Sequence, residues 1–239
     1  MRKILMVVGA LLVCGAVAFV LFRQSSPNKS DAPAASSEPA AATGTTLATT
    51  TPAASQQTAD AGEPALYPDD MYLGKADAKL TIIEYASLSC PHCAKFEAEV
   101  LPRLKSEYID KGLVRWVYRD YPLNNPAYLA AVLAHCGSPL RYFGLLGTLY
   151  RSQDFWAAQP RPLVALKQIG VSEGIDEKTY DACLADKNLK DKIISRLQEA
   201  STKYKIDSTP SFLIRGELHP GEIPYDEFKK LIDDALGRS

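Results

Sequence analysis

From Leu80 to Ser87 the chain reads Leu-Thr-Ile-Ile-Glu-Tyr-Ala-Ser, an apolar run that predicts a buried β-strand. Phe96, Val100, Leu104 and Tyr108 then recur every four residues, the stripe of a helix running to about Asp110. Pro102 interrupts that stripe and predicts a kink. Leu113 to Tyr118 is a second strand, and the helix between the two makes them parallel neighbours in a βαβ unit. From Pro126 to about Lys205 only helical patterns follow, broken at Gly137-Ser-Pro139, Gln159-Pro-Arg-Pro162 and Gly170 to Gly174. The last of these helices carries Leu189, Ile193, Ile194, Leu197, Ala200 and Tyr204 on its apolar face. Ser211 to Arg215 returns to strand, a short return strand follows near Glu217 to His219, and Tyr225, Phe228, Leu231, Ile232 and Leu236 form a closing amphipathic helix. The order βαβ, helical block, ββα defines an α/β fold.

The N-terminal part has a different composition. Arg2 and Lys3 precede nineteen apolar residues, Ile4 to Phe22. As a helix that stretch spans about 28 Å, close to a bilayer core, and its basic flank places the N-terminus inside and the remainder outside. Ala16-Val17-Ala18 fits a cleaved signal instead, so segment 1–23 is a membrane anchor or a signal segment. Cys14 follows the bulky Val13, which suits a cysteine within a membrane helix rather than a lipid-attachment site. Residues 24–65 are rich in Ala, Pro, Ser and Thr and cannot bury enough surface to fold, so they are expected to be a disordered linker. As a flexible coil it would reach roughly 35 Å. The α/β domain is then expected over 66–122 and 205–239, with the helical insertion at 123–204. A formal net charge of -1, with both signs interspersed, gives no basic patch for nucleic acid.

The candidate chemistry is Cys90-Pro91-His92-Cys93, set between the first strand and the helix after it. At a helix N-terminus, unpaired N–H groups and the helix dipole favour the Cys90 thiolate, the form that attacks a disulfide. Cys93, one turn on, can reach back as the resolving partner. His92 between them offers a positive charge or a hydrogen bond, and Pro91 suits an early helix position where its missing N–H costs little. Zinc would require more ligands than this pair, and neither a second CxxC nor an HxxxH occurs; His135 and His219 stand apart, so no metal is expected.

Gly74-Lys-Ala-Asp-Ala, the run Glu84 to Cys93 and Ser208-Thr-Pro-Ser-Phe212 together resemble the DsbA-like thiol-disulfide oxidoreductases of the bacterial envelope. The resemblance covers roughly residues 70–239 and implies a thioredoxin-like sheet interrupted by the all-helical insertion. It implies Cys90 and Cys93 as the redox-active disulfide, with His92 stabilising the nucleophilic thiolate. Glu84 becomes the acidic residue beneath the site that helps move protons. Pro210 becomes the cis-proline facing the disulfide, with residue 209 and Pro91 beside it on the peptide-binding side. Thr209 departs from the valine of the best-known members and leaves the direction of electron flow open.

Cys136 and Cys183, both in the insertion, are expected to form a structural disulfide in an oxidising compartment, with two separate buried thiols as the alternative. Some DsbA-like proteins are similar in carrying one there. The resemblance implies reduced, unfolded exported proteins as substrates, a DsbB-like or similar quinone-linked membrane protein as oxidant, a monomer, no organic cofactor, and a periplasmic location, tethered if the N-terminal helix is retained. An isomerase or reductase, and a non-catalytic peptide-binding or chaperone module on the same fold, are the alternatives.

Overall fold

A computed structural model of the chain describes residues 65–238. Segment 1–23 with Cys14, and the linker as far as residue 64, lie outside the described residues. Among the described residues, no helix is long and apolar enough to cross a membrane.

Five strands form one sheet in the order β1-β3-β2-β4-β5. The central pair, β2 (Leu80–Ala86) and β3 (Val114–Asp120), is parallel, with Leu80 opposite Val114 and Ala86 opposite Asp120. Antiparallel β4 (Ser211–Ile214) lies on the other side of β2, followed by β5 (Glu217–Pro220). The strand β1 (Met71–Leu73), which the sequence pattern did not reveal, adds antiparallel to the free edge of β3. Gly74 ends it with φ +89°, and a Cβ there would sit 2.5 Å from the Val114 carbonyl oxygen, so this turn requires glycine. Arg119 anchors the segment before β1: its guanidinium donates to Asp70 at 2.8 and 3.2 Å and to the Tyr85 hydroxyl at 2.8 Å, all within the interior.

The helix expected between β2 and β3 as one kinked rod is segmented. α1 (Pro91–Glu99) stops at Val100, α2 spans Leu101–Leu104, and residues Lys105–Ile109 widen into a π-helical turn. Pro102 is the cause, because it has no N–H for the Ala98 carbonyl and its ring crowds that oxygen.

Alternation along the strands divides the sheet into two buried faces. On one, Ile82, Trp116, Phe212 and Ile214 meet Phe96 of α1 and Phe228 of α9 (Tyr225–Ala235). Phe96 lies 4.8 Å from Phe212, 5.7 Å from Trp116 and 5.6 Å from Phe228 between ring centroids. On the other, Ile83, Tyr85, Val117 and Leu213 pack with Ala200, Tyr204 and Ile206. Both faces are covered, which explains why β2 reads as a continuous apolar run rather than an alternating one.

The block between β3 and β4 is helical throughout: α3 (Asn125–Cys136), α4 (Tyr142–Arg151), α5 (Gln153–Trp156), α6 (Pro162–Ser172), α7 (Glu177–Ala185) and α8 (Lys187–Thr202). Asn124, Asp176 and Asp186 cap α3, α7 and α8 by accepting from backbone N–H groups of the first turn. Cys136 and Cys183 are bonded to each other, with Cα atoms 5.9 Å apart, tying the end of α3 to α7. The apolar interior of this block continues without a break into Ala86, Leu88, Cys90 and Cys93, so the motif sits where the sheet and the insertion meet.

Candidate active site

Cys90 is the N-cap of α1, in extended conformation, with Pro91 as the first helical residue. Its N–H donates to the Ser87 carbonyl at 2.9 Å and its carbonyl accepts from Ala94 at 3.1 Å, which fixes the turn out of β2. Both cysteines are free thiols; Cys90 is 6% exposed and Cys93 not at all.

Across the sheet, the Thr209–Pro210 peptide bond is cis and delivers the Thr209 carbonyl to the Cys90 thiol, which donates to it at 3.2 Å. The Thr209 hydroxyl is buried beside the sulfur, with no other group to bond. Residues 119 positions apart in sequence thus meet at one sulfur.

The two sulfurs are electrostatically unequal. Cys90 is pulled down from 9.0 to about 5, first by the hydrogen bond it receives from the Cys93 thiol, against the opposing effect of burial, then by the Thr209 side chain and by the backbone N–H groups of Cys93 and His92. Cys93 moves the other way, pushed far up by burial, by its donation to Cys90 and by the negative charge near it on Cys90 and Glu84. The reduced pair therefore holds one proton at neutral pH, on Cys93.

Glu84 is wholly buried on the face that carries Ile82, and accepts one hydrogen bond, from the Trp116 indole at 3.0 Å. Its other oxygen has no partner. Burial first, and then the Glu97 carboxyl, raise its pKa well above the usual carboxylate range, against the Trp116 bond. Glu97, one turn beyond Cys93 on α1, also has a buried, unpartnered oxygen and is pushed up to about 8 by burial. Burial thus favours the protonated form of both carboxyls, Glu84, whose charge acts on Cys93, and Glu97, one turn further along α1.

The His92 ring is outside this cluster. Its side chain is 69% exposed and its Nδ1 lies 2.9 Å from Glu222, while its backbone N–H favours the Cys90 thiolate. Pro91 is exposed at the head of the helix. Among the described residues no group of three or more His, Cys, Asp or Glu is placed to hold a metal ion.

Three residues at the site were not singled out from the sequence. Glu97 had a legible signal, its position four residues after Cys93 on one helical face. Gln153 had none: it reaches out of the insertion, and its side-chain amide donates to the Leu88 and Cys90 carbonyls at 2.7 and 3.1 Å. Glu222 likewise arrives from a distant loop.

A thioredoxin-like sheet with a dithiol at a helix N-terminus opposite a cis-proline, and a helical insertion over it, defines the class of protein. The profile of the thioredoxin family matches residues 67–234, and the chain belongs to that family, in its DsbA-like branch. Alpha-DsbA1 of Wolbachia pipientis shares 30% identity and superposes with a TM-score of 0.68, covering 72% of this chain and 94% of that one. A protein-disulfide isomerase of Novosphingobium aromaticivorans is 26% identical with a TM-score of 0.62, covering 70% of this chain and 97% of its own. A Rickettsia bellii protein named provisionally as a protein-disulfide oxidoreductase is 29% identical over 172 residues, 72% of this chain and 66% of its own length. The chain spans 60 to 66% of the length of the rickettsial relatives it matches.

Proposed function

We propose that the protein is a thiol-disulfide oxidoreductase of the DsbA type that introduces disulfides into exported proteins. The observation that carries this reading is the placement of the dithiol, Cys90 at the N-cap of α1 facing the cis Thr209–Pro210 bond and Cys93 buried one turn on, an arrangement that lowers Cys90 to about 5 and raises Cys93. A stable Cys90 thiolate stabilises the reduced pair, which makes the disulfide a strong oxidant.

In the proposed cycle a substrate thiolate attacks Cys90 Sγ of the Cys90–Cys93 disulfide. The S–S bond breaks, Cys93 leaves with the electron pair, and it takes a proton from Glu84, whose protonated form burial favours. A second substrate thiolate then attacks the substrate sulfur of the mixed disulfide and Cys90 leaves as a thiolate. The substrate has lost an electron pair, which the enzyme holds as its dithiol. Thr209 and Pro210 present backbone beside the sulfur to an extended peptide, with Pro91 at its rim. Reoxidation passes the electron pair to a quinone-linked membrane protein, and no organic cofactor or metal takes part.

The protein works as a monomer outside the inner membrane of a bacterium, tethered by residues 1–23 or released after their cleavage. Retention would raise the local concentration of a membrane-bound oxidant. A disulfide isomerase is the second reading, favoured by Thr209 beside the sulfur and by the likeness to the Novosphingobium isomerase.

The test is oxidation of a reduced, unfolded protein by the full-length oxidised chain. Wild type should form substrate disulfides stoichiometrically, Cys93→Ala should do so no longer but should trap a mixed disulfide when its Cys90 thiolate attacks a substrate that already carries a disulfide, releasing one substrate thiol, and Cys90→Ala should do neither. Faster rearrangement of scrambled disulfides than oxidation of thiols would instead select the isomerase, and unimpaired activity of Cys90→Ala would sink both.

A further inference from the structure

Glu222, in the loop between β5 and α9, divides its carboxylate between two side chains of α1, Lys95 and His92. Oε2 lies 2.9 Å from His92 Nδ1 and Oε1 lies 2.6 Å from Lys95 Nζ. The carboxyl is held below its usual range, by Lys95 first and His92 second. The loop is fixed at the site, because Gly221 N–H donates to the Pro210 carbonyl at 2.8 Å. Glu222 therefore joins the helix that carries both cysteines to the turn that faces them.

The placement has an electrostatic consequence. Positive charge near the start of α1 favours the Cys90 thiolate, as the helix terminus itself does. Lys95 is the cationic side chain on the first turns of that helix, and it and the His92 ring are both claimed by one carboxylate rather than left to the sulfur. The side chains of His92, Lys95 and Glu222 are 69%, 53% and 25% exposed, so screening limits each pair without removing the net charge that Glu222 contributes.

We propose that Glu222 is a positioning residue that sets the redox poise of the dithiol: by holding Lys95 and the His92 ring, and by adding its own negative charge, it offsets positive charge near Cys90 and makes the disulfide a weaker oxidant than its CPHC motif alone would give. The inference rests on the dithiol exchange proposed above and refines it. Glu222 touches no reacting atom and acts only through its partners and its charge.

The relevant equilibrium is that of the oxidised chain with two reduced glutathiones, giving the enzyme dithiol and one oxidised glutathione. Its constant should be measured on the full-length chain as wild type, Glu222→Gln and Glu222→Asp, together with the thiolate absorbance of Cys90 against pH. In Glu222→Gln the constant should rise by about threefold or more toward the dithiol, the scale of one partly exposed charge beside a thiolate, with the Cys90 midpoint moving down. Glu222→Asp, which keeps the charge, should stay within about twofold of wild type.

An unchanged constant in Glu222→Gln, or one moved toward the disulfide, overturns the proposal. A fall in Tm with no change in the constant does so as well, since it would mark Glu222 as a structural tie only. The wild-type constant itself judges the oxidase reading, whereas the ratio of variant to wild type judges Glu222, so one can fail without the other.

Discussion

The depressed pKa of Cys90 makes the stability of the reduced protein depend on pH in a way the oxidised protein cannot share. In the unfolded chain the thiol titrates near 9.0, and in the folded dithiol it is lowered to about 5. A lowered acid pKa contributes stability that is complete above the unfolded value and is lost as pH falls through the folded one. Between pH 5 and pH 9 the reduced form should therefore gain up to about 1.4 kcal/mol per pH unit relative to the oxidised form. From pH 5 to pH 7 the gain is roughly 2 kcal/mol, slightly less than the limiting slope because Cys90 is only half ionised at the start. Cys93 does not offset this, because its raised pKa acts only above the unfolded thiol value. Glu84 and Glu97, with raised pKa values, weaken the fold as pH rises past 4.5, but they are present in both redox states and cancel in the difference. The assay is urea unfolding of the reduced and oxidised chains at pH 5, 6 and 7, with Cys90→Ser as a reduced control that follows the pH profile of the oxidised chain. A difference between redox states that is flat across that range, or that shrinks as pH rises, would refute the assignment of Cys90 as the ionised sulfur.

Glu84→Gln should stabilise the protein at pH 7, because burial raises the carboxyl's pKa and the fold must hold it protonated against an unfolded chain in which it ionises, a cost the amide does not carry. That advantage should grow as pH rises above 4.5, while release of Cys93 in stopped-flow turnover slows. Replacing both Cys136 and Cys183 with serine opens a loop with a sequence separation of 47 and should cost up to about 4 kcal/mol of unfolding free energy, with oxidation of substrate thiols retained. An equal loss of turnover would tie that disulfide to the chemistry. Asp70→Ala leaves the Arg119 guanidinium buried without its carboxylate and should cost about 3 kcal/mol or more in chemical denaturation; a change within experimental error would show that Tyr85 and solvent suffice for it.

The legible parts of the fold are those in which burial dictates composition over a long enough window. Leu80 to Ala86 could be read as strand because both its faces are covered, and the final helix because only one of its faces is. Met71 to Leu73 could not, since three residues paired on one edge show no period. The break at Val100 was half legible: Pro102 announced a disturbance, but whether the chain bends or restarts there depends on the packing of Leu101 and Leu104 into the core. At the site, Cys90 and Cys93 stand out by spacing, and Thr209-Pro210 by resemblance. Gln153 and Glu222 stand out by nothing local, because a lone glutamine in an insertion and a lone glutamate in a loop acquire meaning only when the fold brings them to Cys90 and His92. His92 shows the converse, a residue obvious in the motif whose ring the fold directs to another partner.

The central claim is that the Cys90–Cys93 disulfide is an oxidant of protein thiols, and the reduction potential of that couple on the full-length chain, equilibrated with glutathione at pH 7, tests it most directly. The thiolate stability at Cys90 predicts a potential above about −160 mV. A value at or below about −200 mV, approaching the ~−270 mV of thioredoxin, would contradict it.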